Sequence, residues 1–343
     1  MPKPERASGG RGWVTPAAWA VVIGAAFALP SLFASAFWLY LFDVILINGV
    51  MALGLNIILK TGQVSMAHAG FMAIGAYTCA QLIVKLGVPF LAAFALGGAA
   101  AALSALVLGR IILRLRGVYF LLFTFSLNEF LFLLSKNVTV LTGGNTGVMG
   151  IPPPSLPLVG ALRSKAAFYY FALTVLVLAS GLVAALYRSP FGRAMDAVRE
   201  SELLATAVGY NPMRVKVVAF GVGCGLAGLG GGLFASFLGY IAPFNFTFWE
   251  SVNFLLMNIV GGASFPAGAV IGAVIITPLP ELLRAYVVWQ QVLYGFLLML
   301  LMRFLPDGLA SLLAAPARAL LARLRAAAPA PGVDSGRRAG EKA

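Results

Sequence analysis

Histidine, cysteine and acidic side chains are all scarce in this 343-residue chain, and each shortage removes a class of chemistry. A single histidine, His68, excludes a multi-histidine metal site. The two cysteines, Cys79 and Cys224, stand alone in different apolar runs with no CxxC spacing, so neither a disulfide framework nor a metal cluster is expected. None of the seven lysines follows a glycine, which excludes the Gly-Lys-Ser/Thr of a phosphate-binding loop. No nucleophile–base constellation accompanies His68. The chain reads as a non-enzyme without cofactor or metal, and any ATP hydrolysis that drives it must belong to a separate polypeptide.

Charge is scarce too. Only 10% of residues are charged while 61% are apolar, with a mean hydropathy of +0.94. That composition describes a polytopic membrane protein. A helix needs roughly 20 apolar residues to cross the hydrocarbon core. Ten candidate runs are present, at 15–35, 37–59, 64–84, 88–109, 117–135, 167–187, 214–237, 246–262, 266–280 and 289–304. The expected fold is all-α, with about ten transmembrane helices in a domain over 15–310. A tail over 1–14 and a disordered tail over 311–343 flank it. The eighth and ninth runs are short and Gly-rich, so they are expected to be broken or re-entrant, a form tolerated only where protein or a cavity covers the backbone.

The net charge of +13 invites a nucleic-acid reading, and its distribution refuses it. With the amino terminus inside and ten crossings, 19 lysines and arginines fall on the inner side. Five fall outside: Lys85, Lys136, Arg163, Lys165 and Arg284. The positive-inside rule accounts for that asymmetry and puts both termini in the cytoplasm. A basic leader, an apolar run and Ala34-Ser35-Ala36 resemble a cleavable signal peptide, but its removal would leave an odd number of crossings. The Arg-rich tail suits contact with anionic membrane lipid.

Polar groups inside spans mark functional candidates by default. Asp43 lies one to two turns from an outer end and can reach the interface. Glu129 sits deeper, in SLNEF. Asn48 and Asn56 are eight residues apart and so share one helical face. Gln63, Ser65 and His68 open the third run, and Asn253 and Asn258 lie in the eighth. One reading makes Asn48, Asn56, Gln63, Ser65, His68 and Glu129 the flanks of a wet translocation path. The other makes 60–70 a capped helix start with a satisfied histidine. The glycines of GVGCGLAGLGGG, spaced GxxxG at Gly221/Gly225 and Gly228/Gly232, indicate helix packing or a subunit interface. The Pro- and Gly-rich stretch 135–166 is a connector or a docking lip for an external partner.

A polar stretch, Arg188 to Lys216, interrupts the oil and carries eight of the 35 charged residues. Within it, Arg193 to Val208 is predicted as one helix. Met195, Val198, Leu203, Ala205 and Ala207 form its apolar side, and Arg193, Asp196, Arg199, Glu200 and Glu202 its charged side. Gly209 supplies a left-handed stop and Pro212 prevents continuation. A helix that lies on lipid is strongly basic; this one mixes signs, which suits a protein partner.

The stretch GRAMDAVRESELLATAVGYNPMRVKVVAFGVGCGLAGLGGGLFA (192–235) resembles bacterial branched-chain amino acid ABC transporter permeases of the LivM type. So do TGQVSMAHAGFMAIGAY (61–77), TGGNTGVMGIP (142–152), FTFWESVNFLLMNIVGG (246–262) and LPELLRAYVVWQQVLYGFLLMLLMRFLPDGL (279–309). The resemblance implies a permease subunit of an ATP-binding-cassette importer in the inner membrane, carrying hydrophobic amino acids. It also implies a second permease, two ATPase subunits and a periplasmic binding protein as partners. Ala205 and Gly209 match the Ala and Gly of the loop that docks into the ATPase, and its acidic residue falls one position early, at Glu202. With Arg193, Arg199 and Glu200 they form the expected coupling set, within the loop 188–213. Urea and short-amide importers share this permease pattern. A secondary transporter or channel would instead need coupling-ion ligands in broken helices and no docking helix.

Overall fold

The computed structural model describes residues 24–304, apart from 25, 32, 34, 157–159, 163, 264 and 284–288. The two expected tails and most of the first apolar run lie outside the described residues. Six helices of 19–27 residues are long and apolar enough to cross a membrane: α1 (Ala36–Lys60), α2 (His68–Leu86), α3 (Phe90–Ile112), α4 (Val118–Asn137), α5 (Lys165–Arg188) and α8 (Pro212–Leu238). Between α5 and α8 lie the short helices α6 (Pro190–Glu200) and α7 (Glu202–Ala207). After α8 come α9 (Phe248–Gly261), α10 (Pro266–Ile276), α11 (Pro278–Leu282) and α12 (Gln290–Phe304). The only strands among the described residues are two-residue ribbons, Val148–Met149 with Tyr240–Ile241 and Ser155–Leu156 with Gly160–Ala161. The chain is a multi-pass, all-α membrane protein.

The count of ten is not reached among the described residues, and the reason is length. Helices α9 and α10 hold 14 and 11 residues, or about 21 and 17 Å at 1.5 Å per residue. Neither spans a core of about 30 Å. Instead the chain folds back between them, the two arms meeting at a 115° bend. Glycine permits that closeness: a Cβ on Gly272 would sit 1.7 Å from the Met257 carbonyl oxygen, and one on Gly261 1.8 Å from that of Gly268.

Helix α8 is the hub. Gly221, Gly225, Gly228 and Gly232 all meet α3, at Leu106, Ala102, Ala101 and Phe94. On its other sides, Gly231 lies on the Met72 carbonyl of α2, and Gly223 and Gly54 bring α8 and α1 into backbone contact. In lipid such contacts rely on dispersion between closely approaching backbones. The GxxxG spacing is therefore internal helix packing rather than a subunit interface. Cys79 and Cys224 are buried, unpaired packing residues.

Candidate functional site

Two groups of sequence-predicted residues form two separate places in this fold. The first is the α6–α7 segment. The Ser189 hydroxyl caps α6 by accepting from the Gly192 N–H at 3.4 Å, with Pro190 as the first helical residue. Helix α6 buries Ala194, Met195 and Val198. The expected single helix from Arg193 to Val208 is then broken at Ser201, whose backbone is extended at φ −161° and ψ 117°. Its hydroxyl accepts from the Leu204 N–H at 3.3 Å and starts a new helix. A serine that caps one helix cannot also continue the one before it.

That break changes which side chains face outward. The sequence places Leu203 on the same apolar side as Met195 and Val198. Instead Leu203, Leu204 and Val208 are 81, 66 and 77% exposed, while Ala205 is buried. Gly209 follows with φ +92°, the Tyr210 N–H closes onto the Ala205 carbonyl at 3.0 Å, and Asn211 caps α8 through the Arg214 N–H at 3.1 Å. The expected left-handed stop is present, and Pro212, expected to prevent continuation of the helix, is the first residue of α8.

The charges split into those with an ion-pair partner and those with none among the described residues. Glu202 joins α7 to the rest of the molecule, accepting from Lys216 of α8 and pairing with Arg116 at 3.0 Å. The Lys216 side chain is only 3% exposed. Asp196 binds Lys60 at 2.5 Å. Arg193, Arg199 and Glu200 are exposed, and Arg199 rests on the turn at Gly62. The sequence reading missed Arg116 and Lys216, because each looks like one more cation of the positive-inside set.

The second place is a buried polar frame around α1, α2 and the bent pair. Asn56 donates to Asn258 Oδ1 at 2.9 Å and to the Ala263 carbonyl at 3.0 Å, and accepts from the Tyr187 hydroxyl at 2.6 Å. Asn258 donates to the Ala52 carbonyl at 2.9 Å. Asn48 donates to Thr277 at 3.0 Å. His68 Nε2 lies 3.0 Å from the Met51 carbonyl; a carbonyl only accepts, so Nε2 carries the proton.

A helix that begins inside a bilayer must satisfy its free N–H groups within the protein. At the start of α2, Met66 donates to Thr124 Oγ1 at 3.1 Å, Ala67 to Ser65 at 3.3 Å, Ala69 to Ser251 at 2.9 Å and Gly70 to Asn128 at 2.7 Å. Thr124, Ser251 and Asn128 were not among the predicted site residues. A hydroxyl on an apolar helix does not show its partner in sequence. Gln63 is buried beside this frame.

The frame brings Asn56, Ser65 and His68 together with Asn258; His68 Nε2 is hydrogen-bonded, and its Nδ1 is buried with no hydrogen-bond partner among the described residues. Glu129 is not part of it. It lies half-buried on α4, next in sequence to Asn128 but turned about 100° around the helix. Asp43 is fully buried, with no hydrogen-bond partner for either carboxylate oxygen among the described residues.

Known proteins are similar to this chain in sequence. A family described as branched-chain amino acid transport system / permease component matches residues 37–304. The high-affinity branched-chain amino acid transport system permease protein LivM of Salmonella typhimurium is 33% identical over 283 residues, 76% of this chain and 67% of that protein. LivM of Escherichia coli K12 is 32% identical over 285 residues, with the same shares. LivH of Salmonella typhimurium is 30% identical over 123 residues, 35% of this chain and 40% of LivH. No solved structure matches the chain. Because the family match runs from the first turn of α1 to the last residue of α12, and so takes in both the α6–α7 segment and the buried frame, the chain belongs to the family of branched-chain amino acid transport permease components.

Proposed function

We propose that this chain is the membrane-spanning permease subunit of an ATP-binding-cassette importer that carries branched-chain amino acids across the inner membrane. Kinship to LivM and LivH supports the substrate class. The observation that carries the coupling role is the outward-facing trio Leu203, Leu204 and Val208 on a segment clamped to the core helix α8. In this reading the trio seats in a groove of a separate ATPase subunit, flanked by Arg193, Arg199 and Glu200. Both termini lie in the cytoplasm, a reading that the charge asymmetry supports. A second permease completes the path, and an external binding protein delivers the substrate.

Movement of the ATPase then reaches the path mechanically. A shift of α7 passes through Glu202 to Lys216 and so to α8, against which α1, α2 and α3 pack with almost no spare space. Helix α4, like α3 and α5, is loosely covered, with most of its side chains exposed or half-buried. A carboxylate on such a face is expensive in lipid. We therefore place Glu129 on a wet route between this subunit and the second permease. The route binds weakly, because a deep well would hold the substrate just delivered.

Uptake of labelled leucine, isoleucine or valine into vesicles holding the whole transporter, dependent on ATP and on the binding protein, tests the function. Uptake of urea or short amides alone would reassign the substrate. Gly209→Val tests the coupling segment. Nothing lies within 4 Å of a Cβ there, so the cost is backbone strain at φ +92°, about 1–2 kcal/mol, and is local. The expected result is normal assembly with a large loss of substrate-stimulated ATP hydrolysis; wild-type hydrolysis refutes the coupling role. For the path, Glu129→Ala is expected to lower transport per complex while Glu129→Gln keeps part of it. Loss of protein from the membrane in both variants, with normal transport per surviving complex, would make Glu129 structural.

A further inference from the structure

We infer that the cavity between the α3–α4 turn and the α7–α8 turn is a binding site for the phosphate headgroup of an anionic phospholipid. The cavity measures about 640 Å³, and its charged walls are Arg114, Arg116, Lys216 and Glu202. Three cations face one carboxylate. Glu202 is already held by both Lys216 and Arg116, whereas Arg114 is exposed and has no ion-pair partner among the described residues. The amino end of the 27-residue helix α8 opens at the same wall through Pro212 and Met213 and adds its positive dipole.

This charge balance selects the ligand. A zwitterionic amino acid, which would make the cavity a feedback site for transported substrate, needs a free carboxylate for its ammonium group. Glu202 already faces two cations, Lys216 and Arg116, so its single negative charge is more than balanced and offers an ammonium group no net attraction. A phosphate diester needs only cations, and Arg114 can present two parallel N–H groups to it. Leu113, Met213 and Leu203, the last also part of the outward-facing trio, add apolar wall beside the polar Thr206, Tyr210 and Asn211, which suits the glycerol and first methylenes of a lipid better than a free, fully hydrated anion. Leu113 directly follows α3, one of the helices long and apolar enough to cross a membrane, and an end of such a helix falls at headgroup level in the orientation proposed above. Basic pockets between spans on the cytoplasmic side take acidic headgroups in this way. A lipid seated there would brace the segment carrying Glu202 against the turn carrying Arg116. The proposal rests on the cytoplasmic orientation given above.

Native mass spectrometry of the purified full-length chain tests it, with cardiolipin, phosphatidylglycerol and phosphatidylcholine each added in turn. One surface arginine is worth about fivefold in affinity for acidic lipid. Arg114→Gln is expected to reduce retention of the two anionic lipids by about that factor and leave phosphatidylcholine unchanged. Arg114→Lys keeps most of the retention. Gel filtration of Arg114→Gln checks that the variant is folded. Equal retention by wild type and Arg114→Gln overturns the proposal. So does inorganic phosphate that displaces the lipid at low millimolar concentration, which would make the site one for soluble anions. Unchanged lipid retention with weakened capture of the ATPase subunit would make the cavity part of that protein interface instead. Labelling of Arg114→Cys from outside intact cells would refute the orientation, a failure separate from loss of lipid binding.

Discussion

Gly75→Ala removes most folded protein from the membrane. The new methyl carbon would sit 2.2 Å from the Cα of Gly228 and 2.3 Å from its carbonyl oxygen. Both obstacles are backbone, so no rotamer change relieves them. Gly97 is stacked on the same point, where a Cβ would lie 2.7 Å from the Gly75 carbonyl oxygen. Helices α2, α3 and α8 would have to separate together. Overpacking ordinarily costs about 1–3 kcal/mol, and a clash between backbones belongs at or above the top of that range. Gly181→Ala in α5 is the control, since nothing lies within 4 Å of its Cβ. Fluorescence-detected gel filtration and thermal unfolding in detergent give the comparison. Near wild-type yield and melting temperature for Gly75→Ala would show that the three helices are not packed this way.

Glu202→Ala is the second large effect, and it bears on stability before it bears on transport. The substitution leaves Lys216, 3% exposed, without its only ion-pair partner among the described residues. Breaking a buried pair from one side costs about 3–5 kcal/mol, because the remaining charge is uncompensated. The partial exposure of Glu202 places the effect at the lower end. Removing both charges in Glu202→Ala/Lys216→Met should recover most of the loss, as replacement of buried pairs by apolar groups commonly does. Thermal unfolding of the three proteins tests this through the interaction term of a double-mutant cycle. An unchanged melting temperature in Glu202→Ala, together with lost ATP coupling, would give Glu202 a purely coupling role. Sequence reading assigned it that role alone, seeing it only as one charge on a docking helix.

Much of the fold was legible from the sequence because hydropathy is a local property. The second to seventh apolar runs correspond to α1, α2, α3, α4, α5 and α8 within a few residues. The Gly-rich eighth and ninth runs announced an irregular pair, yet only the close approach of Gly272 to Met257 shows that they fold back. Gly209 and Pro212 were legible because a left-handed turn and a helix start have residue-specific requirements. The break at Ser201 was not. Serine inside a helical pattern is compatible with continuation and with capping, and the choice between them depends on what α7 packs against.

The site divides in the same way. Sequence alone determined that this is a polytopic helical membrane protein with a charged segment between two spans, without a nucleotide-binding loop. Those conclusions rest on composition, spacing and local stereochemistry. Tertiary structure decided which polar groups face one another. Asn56 and Asn258 are 202 residues apart, and Glu202 reaches Arg116 across 86 positions and Lys216 across 14. It also turned Leu203, Leu204 and Val208 outward, and brought Thr124, Ser251 and Asn128 onto the start of α2 beside Ser65. The physical reason is that in lipid each buried donor must find an acceptor within the protein, and its partner lies wherever the fold brings a second helix, a position that no local pattern encodes.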